Sequence, residues 1–261
     1  MGGHEGMEKI TIEPEFLYTE MSTSDGLQIK YYKDGYWYKV DHFGGEGLAE
    51  YLSSLALKNS NLAETEYVSY KQIMINDEPG CVSRNCLSEG EELVSFYRFW
   101  ANIKGGDIAS FLQKMDYDDA IETTLGFMKE QTGLDLHRYL ANNLAFSAFI
   151  RNEDLHFNNL WVILNGDSYR EAPILDCGKS MFVGNDKYRS DLPMEENMKQ
   201  SFAKAFSGNF DLNYRYLSAY CTLRIDKNRL LSDLEKEPAS KQRDFLIYQC
   251  TLNEKLNDLF S

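Results

Sequence analysis

The sequence has little of what membrane-spanning and secreted proteins carry. No stretch approaches the eighteen or so apolar residues that a membrane span needs. Residues 1–7 have neither a basic region nor an apolar segment, so we expect no signal peptide. The 5 cysteines form no C-x-x-C pair, which argues against a zinc knuckle and against a disulfide framework. We therefore expect a cytoplasmic protein with reduced thiols and no membrane contact.

Positive charge is also scarce. The chain has 27 Lys and Arg against 41 Asp and Glu, which gives a formal net charge of −14. A surface this negative repels phosphate backbones, so nucleic acid is not expected as a direct partner. Aromatic residues make up 13% of the chain, which argues against disorder. Its 261 residues are enough for one large domain or two lobes.

The pattern of residues 1–103 predicts a β-rich lobe with one helix. An Asp-Gly turn at Asp34-Gly35 predicts a hairpin, and apolar residues at helical spacing predict a helix over 46–57. Strands are predicted over 28–32, 36–40, 67–75, 80–87 and 92–100.

The pattern of residues 104–261 predicts a helical lobe that contains one hairpin around Gly166. The change in composition near Gly105 sets the boundary, and the segment 178–193 has no clear period and predicts a loop. The fold class is therefore α+β, in two lobes. Helices are predicted over 108–115, 117–131, 136–150, 194–206, 214–223, 226–234 and 241–259.

The most informative motif lies at the two ends of that hairpin. Asp154 is followed five positions later by Asn159, and Asp176 comes after the second strand of the hairpin. A Mg²⁺-dependent phosphoryl transferase needs this order, with one Asp that orients the attacking hydroxyl and an Asn and a second Asp that hold the metal. The alternative is a plain turn, in which Asp and Asn bond their own backbone.

A nucleotide between two lobes would need a cation for its phosphates and an acid that holds the cation. Lys39, at the end of the strand over 36–40, is the candidate cation, and a solvated lysine is the alternative. Glu50 is the candidate acid because it lies beside the apolar stripe of the following helix. Glu46 lies nearer the helix start, where a carboxylate complements the helix dipole.

Three further features have a functional and a structural interpretation. Ser22, Ser24 and Gly26 precede the first hairpin and predict a phosphate-covering loop, or only a Ser-rich turn. His156 joins the catalytic set as a residue that braces the loop by hydrogen bonding, and a structural histidine is the alternative. The segment 93–100 predicts an inter-lobe hinge that contacts adenine, or only a buried strand.

These residues resemble the HipA-like kinase superfamily, especially its shorter CtkA-type members. The resemblance rests on Asp154-x-His156-x-x-Asn159, on the segment 173–176, and on Tyr38-Lys39-Val40 before the helix at 46–50. It implies a protein kinase-like fold, ATP and Mg²⁺, and phosphorylation of Ser or Thr in a protein substrate. It also implies that Asp154 is the catalytic base, that Asn159 and Asp176 bind metal, and that Lys39 contacts the phosphates.

The function expected from the sequence is therefore that of a Ser/Thr protein kinase, capable of autophosphorylation. Three alternatives remain open: a pseudokinase that binds nucleotide or a partner, a small-molecule or lipid kinase, and an acidic interaction domain without a nucleotide site. The oligomeric state and the acceptor are not predicted by any motif.

Overall fold

The computed structural model describes residues 6–18 and 28–252 of the chain. Strands concentrate in the first part of the chain and helices in the remainder, as the sequence predicts. The described strands are β1 Lys9–Ile10, β2 Lys30–Lys33, β3 Tyr36–Val40, β4 Tyr70–Ile75, β5 Glu78–Arg84, β6 Glu91–Ser95, β7 Trp161–Asn165 and β8 Ser168–Glu171. The described α-helices are α1 Glu46–Lys58, α2 Phe96–Ile103, α3 Ile108–Leu112, α4 Tyr117–Thr132, α5 His137–Ile150, α6 Met194–Met198, α7 Phe210–Tyr216, α8 Lys227–Leu234 and α9 Lys241–Thr251.

The strands form two sheets. The first has the order β1-β4-β5-β3-β2, in which only the β1–β4 pair is parallel. The second is antiparallel with the order β6-β7-β8. Both predicted hairpins are confirmed. Asp34 and Gly35 have φ of 53° and 80°, as the tight β2–β3 turn requires, and Gly166 has φ of 57° in the β7–β8 turn.

Helix α5 is the centre of the largest core. All of its residues from Tyr139 to Ile150 are buried, so every side of this helix packs against other elements. Helices α1, α4 and α9 contribute buried residues to the same cluster, and α5 ends directly before the loop that carries Asp154. The core therefore fixes the start of that loop. No helix in the described ranges is long and apolar enough to cross a membrane.

The strand predicted over 92–100 is wrong in its second half. The strand β6 ends at Ser95, whose Oγ accepts a hydrogen bond from Arg98 N at 3.1 Å and begins α2. Phe96, Phe99 and Trp100 recur at helical spacing and are buried in the main core. The segment that we interpreted as a hinge is thus a short strand followed by a helix. Both elements lie before residue 103, the predicted end of the first lobe. Phe96 N nevertheless donates a hydrogen bond to Leu160 O at 2.9 Å, and Leu160 lies in the predicted second lobe.

Three predicted helices of the last part also differ from the structure. The helix predicted over 194–206 ends at Met198. Ala203 packs with Ala148, and Phe206 contacts Phe157, so contacts with distant segments hold residues 199–206. A local period does not show such contacts.

The helix predicted over 214–223 is wrong beyond Tyr216: helix α7 begins at Phe210, where the Asn209 side chain accepts from two backbone N–H groups, and ends at Tyr216. The last helix begins at Lys241 as predicted, but it ends at Thr251 because Leu252 has an extended backbone.

A substitution at Gly47 tests how closely α1 packs against the first sheet. A Cβ on Gly47 would lie 2.6 Å from the backbone of Gly80 in β5, so Gly47→Ala forces helix and strand apart. We expect a loss of about 1–3 kcal/mol in the free energy of unfolding, measured by urea denaturation. The control is Gly126→Ala in α4, where a Cβ has no neighbour within 4 Å. That variant should gain about 1 kcal/mol from helix propensity, and equal effects at both sites would contradict the close packing.

Candidate functional site

Lys39 is the centre of a buried ion cluster. Its ammonium donates to Glu50 Oε1 at 2.8 Å and to Asp176 Oδ1 at 2.7 Å. The side chains of Lys39 and Glu50 are 11% and 2% exposed, whereas that of Asp176 is 32% exposed. Buried charges are tolerated when they are paired. The cluster therefore joins strand β3, helix α1 and the segment after β8 in one arrangement.

The place of Glu50 follows from how α1 begins. Asp41 accepts hydrogen bonds from two backbone N–H groups at the helix start, at 2.6 and 2.7 Å. Glu46 Oε1 accepts from two backbone N–H groups of the loop before the helix, at 3.0 and 2.6 Å. Glu46 is thus engaged in the helix start, and Glu50, one turn later, is the carboxylate that reaches Lys39.

Burial and pairing act on the pKa values of this cluster in opposite directions. Burial alone would lower the pKa of Lys39, but the carboxylates of Asp176 and Glu50 outweigh it and raise the pKa well above its ordinary value. Lys39 in turn holds the pKa of Asp176 below its ordinary value. Burial raises the pKa of Glu50 against the attraction of Lys39. Lys39 and Asp176 are therefore charged at neutral pH.

Asp176 has a left-handed backbone, with φ of 64°. Such values are uncommon for residues other than glycine and cluster at functional sites. Asp176 N donates to Tyr70 Oη at 3.4 Å, and Cys177 N donates to Glu50 Oε2 at 2.8 Å. These bonds hold the strained residue in place, with its carboxylate against Lys39.

Asp154 lies in the loop after α5, with a side chain that is 17% exposed. Its Oδ1 accepts from Lys204 Nζ at 3.0 Å and lies 3.8 Å from Lys179 Nζ. His156 Nε2 lies 3.8 Å from the same oxygen. Two lysines thus place positive charge beside the carboxylate that we interpret as the base.

Asn159 closes the same loop. Its Nδ2 donates to Asp154 O at 2.8 Å and to Asp154 Oδ2 at 3.4 Å, and its backbone N donates to His156 O at 2.8 Å. The five-residue spacing of the motif therefore corresponds to a closed turn that orients Asp154. This geometry is compatible with both the plain-turn and the metal-site interpretation. The turn uses only the Nδ2 group of Asn159, so its carboxamide oxygen remains an acceptor that could bind a metal.

The loops of the two aspartates lie side by side. Glu153 N donates to Lys179 O at 3.2 Å, and Met181 N donates to Ile150 O at 2.9 Å. The structure thus brings the loop of Asp154 and Asn159 next to the segment after β8, whose Asp176 pairs with Lys39. Ser22, Ser24 and Gly26 of the predicted phosphate loop are outside the described residues, so that prediction stays a prediction.

The donors at this place fit a magnesium ion. Among the described residues there is no group of three or more His, Cys, Asp and Glu side chains that could hold a metal. Magnesium prefers oxygen, keeps most of its waters and needs few protein ligands beside phosphates. The carboxamide oxygen of Asn159 and the part-exposed carboxylate of Asp176 are donors of that kind.

Lys179 and Lys204 were not predicted from the sequence. Lys179 follows Asp176 by three positions, which is a signal that could have marked it. Lys204 is 50 positions beyond Asp154 in a segment without regular structure, and no local pattern connects the two. Only the fold brings Lys204 to the site.

No protein-family model matches the sequence, and no curated protein matches it either. Among solved structures, the chain is similar to the crystal structure of the Helicobacter pylori proinflammatory kinase CtkA, with a TM-score of 0.65 and 15% identity over 97% of this chain and 96% of that chain. A chain of the Shewanella oneidensis MR-1 toxin–antitoxin complex of HipA, HipB and operator DNA gives a TM-score of 0.48 and 9% identity, over 88% of this chain and 63% of that chain. The likeness to CtkA confirms the predicted kinase-like α+β fold.

Removal of Lys39 tests the ion cluster. Lys39→Met leaves the Glu50 carboxylate buried without its cation, so we expect the free energy of unfolding to fall by about 3–5 kcal/mol in urea denaturation at pH 7. The double variant Lys39→Met/Glu50→Gln removes the unpaired charge as well and should recover part of this loss. If the double variant is as unstable as the sum of the two single variants, the pair is not coupled and the cluster is contradicted.

Proposed function

We propose that the protein transfers a phosphoryl group from Mg²⁺-bound ATP to a Ser or Thr hydroxyl of a protein. The observation that carries this proposal is the pairing of Lys39 with Glu50 and Asp176 beside the Asp154–Asn159 loop, on a kinase-like fold. The kinase-like fold alone does not set the reaction. The proposal is supported by four groups that lie on adjacent segments. They are the Lys39 ammonium, the oxygen donors of Asn159 and Asp176, and the Asp154 carboxylate, which can accept a hydrogen bond from a hydroxyl.

Each residue has a distinct task in this proposal. Asp154 accepts a hydrogen bond from the acceptor hydroxyl and orients it, and Asn159 keeps Asp154 in place by two hydrogen bonds. Asn159 and Asp176 are the residues that would hold Mg²⁺, which supplies charge neutralisation at the phosphates when bound. Lys39 binds phosphate oxygens, and Glu50 keeps its ammonium in position.

Lys204 and Lys179 add positive charge at the place from which the acceptor hydroxyl attacks the γ-phosphate. An acceptor bonded to Asp154 Oδ1 lies next to the Lys204 ammonium, which is 3.0 Å from that oxygen. Preorganised cations near developing negative charge stabilise a transition state. His156, 3.8 Å from the same oxygen, supports the loop that holds Asp154.

A second candidate function is that of a pseudokinase that binds nucleotide without transfer. It is favoured by one contact: Lys39 already occupies Asp176 Oδ1 at 2.7 Å, so a metal at Asp176 competes with the lysine for that carboxylate. A small-molecule or lipid acceptor is the remaining alternative for an active enzyme. Purified protein substrates, inositol lipid and aminoglycosides offered together with labelled ATP distinguish these acceptors.

Neutral variants of the two aspartates test the catalytic roles. Asp154→Asn and Asp176→Asn keep the size of each side chain but remove the charge that orients the hydroxyl or holds the metal. We expect each to lower the rate of γ-phosphate transfer, measured as autophosphorylation with labelled ATP, by about 10²-fold or more. The control is Asp167→Asn in the exposed β7–β8 turn, which should keep the wild-type rate. Wild-type rates in either site variant would contradict the assigned role.

Binding of Mg²⁺-ATP separates the kinase from the pseudokinase and from a chain without a nucleotide site. A ligand at one hundred times its Kd stabilises the folded state by about 2.7 kcal/mol. We therefore expect Mg²⁺-ATP, but not ATP with EDTA, to raise the Tm, and expect labelled phosphate to appear on the protein in the same sample. A raised Tm without transfer would favour the pseudokinase. An unchanged Tm would contradict both nucleotide-dependent functions.

A further inference from the structure

A cavity of about 900 Å³ lies directly beside the Asp154 loop. Its wall is formed by Arg151, by the segment from Met198 to Phe202, by the start of α7 at Phe210, and by the end of α9. These elements contribute apolar surface, hydroxyl groups and one guanidinium. The proposed reaction uses none of them.

Arg151 is the unusual member of this wall. It follows α5 with a left-handed φ of 52°, and its guanidinium lies over the Phe210 ring at 4.9 Å. Its Nε is buried and has no hydrogen-bond partner. No carboxylate within the described residues forms an ion pair with Arg151, whereas Arg98, Arg138 and Arg170 each pair with a glutamate. Burial lowers the pKa of Arg151, against the attraction of Asp211.

The chemistry of a guanidinium defines what can complete this site. Its planar N–H groups match carboxylate and phosphate oxygens, often as a pair of parallel hydrogen bonds. Such bonds are stronger beside apolar side chains than in bulk water, and Phe202 and Phe210 line this cavity.

Glu195 and Asp211 also line the cavity, and the chain has a net charge of −14. The overall electrostatic potential of the protein therefore does not attract an anion to this cavity. Lys199 also lines the cavity, but its ammonium donates to Glu196 Oε1 at 2.7 Å. Arg151 is therefore the cation that we expect to bind an anion by a specific contact.

The cavity is within reach of an acceptor at Asp154. Arg151 precedes Asp154 by three residues, so their Cα atoms are at most about 11 Å apart. The opposite wall is tied to the same loop, because Phe202 N donates to Glu153 Oε1 at 3.0 Å and Lys204 Nζ donates to Asp154 at 3.0 Å. An extended peptide advances about 3.3–3.6 Å per residue. A residue about two to four positions from the phosphorylated hydroxyl therefore reaches Arg151.

We propose that Arg151 binds an anionic side chain of the protein substrate, a carboxylate or a phosphate about two to four residues from the acceptor Ser or Thr. This inference rests on the proposed function, because it identifies which substrates the same Asp154 site would take. The apolar part of the cavity accommodates the neighbouring side chain of such a peptide. The protein would thus select acceptors by one charge at a fixed distance from the hydroxyl.

Peptide binding measured without nucleotide tests the site independently of catalysis. Fluorescent peptides with one Ser and with Ala, Asp or phosphoserine at each of the five positions on either side are titrated by anisotropy. For the wild type we expect one anionic position, within two to four residues of the Ser, to bind about tenfold to hundredfold tighter than its Ala counterpart. A gain with Asp alone or with phosphoserine alone identifies the carboxylate or the phosphate as the ligand.

Arg151→Gln should abolish this preference while peptides without an anionic residue bind as before. The matched control is Arg215→Gln, which removes the same charge from an exposed position of α7 that does not line the cavity. If Arg151→Gln does not fold, Arg151→Lys is the alternative variant. It keeps the charge but not the planar N–H groups of the guanidinium, so it should lose most of the preference for the anionic peptide. Inorganic phosphate should also displace the preferred anionic peptide from the wild-type protein, but not the matching Ala peptide.

Equal binding of anionic and Ala peptides by the wild type would overturn the inference. So would a preference that survives Arg151→Gln or is lost equally in Arg215→Gln. Transfer of labelled phosphate to the same peptides is measured separately. An Arg151-dependent preference without transfer would support the anion site and contradict the proposed function. Transfer without any preference for anionic peptides would support the proposed function and contradict the anion site.

Discussion

The contact of Lys39 with Glu50 and Asp176 is the constraint on which the rest of the site depends. A lysine in the middle of a sheet is expensive to bury alone, and each of its two carboxylates comes from a different element. The cluster therefore requires α1 to lie close to the sheet, which the absence of side chains at Gly47 and Gly80 permits. It also requires the strained backbone at Asp176, which Tyr70 and Glu50 hold from either side.

The second half of the site is built by the helical part of the chain. The buried helix α5 ends where the Asp154 loop begins, and Asn159 closes that loop around Asp154. Backbone hydrogen bonds then join this loop to the segment after Asp176. Cation, oxygen donors and hydroxyl-orienting carboxylate thus come from separate elements, yet their spacing is set by packing and backbone bonds before any ligand binds. Such preorganisation is what phosphoryl transfer needs from a protein, because positioning and electrostatics supply most of the catalysis.

The sequence predicts the α+β fold and both hairpins because Asp-Gly and Asn-Gly turns act locally. It singles out Asp154, Asn159 and Asp176 by spacing, and Lys39 and Glu50 by their places on a strand and a helix that pack together. It does not predict α2, because Phe96, Phe99 and Trp100 fit a buried strand as well as a helix until the Ser95 cap is known. The sequence does not predict a role for Lys204 or Arg151, for another reason. Their significance lies in contacts with distant segments, and a single sequence without periodicity carries no trace of such contacts.

The most direct test of the account is a crystal structure of the protein with Mg²⁺ and a non-hydrolysable ATP analogue. We expect a metal ion about 2.0–2.1 Å from oxygens of Asn159 and Asp176, with waters and phosphate oxygens as its other ligands. We also expect that the Lys39 ammonium contacts the phosphates while Glu50 keeps its hydrogen bond to Lys39. Nucleotide bound away from Lys39, or a metal ion held without Asn159 and Asp176, would contradict the account.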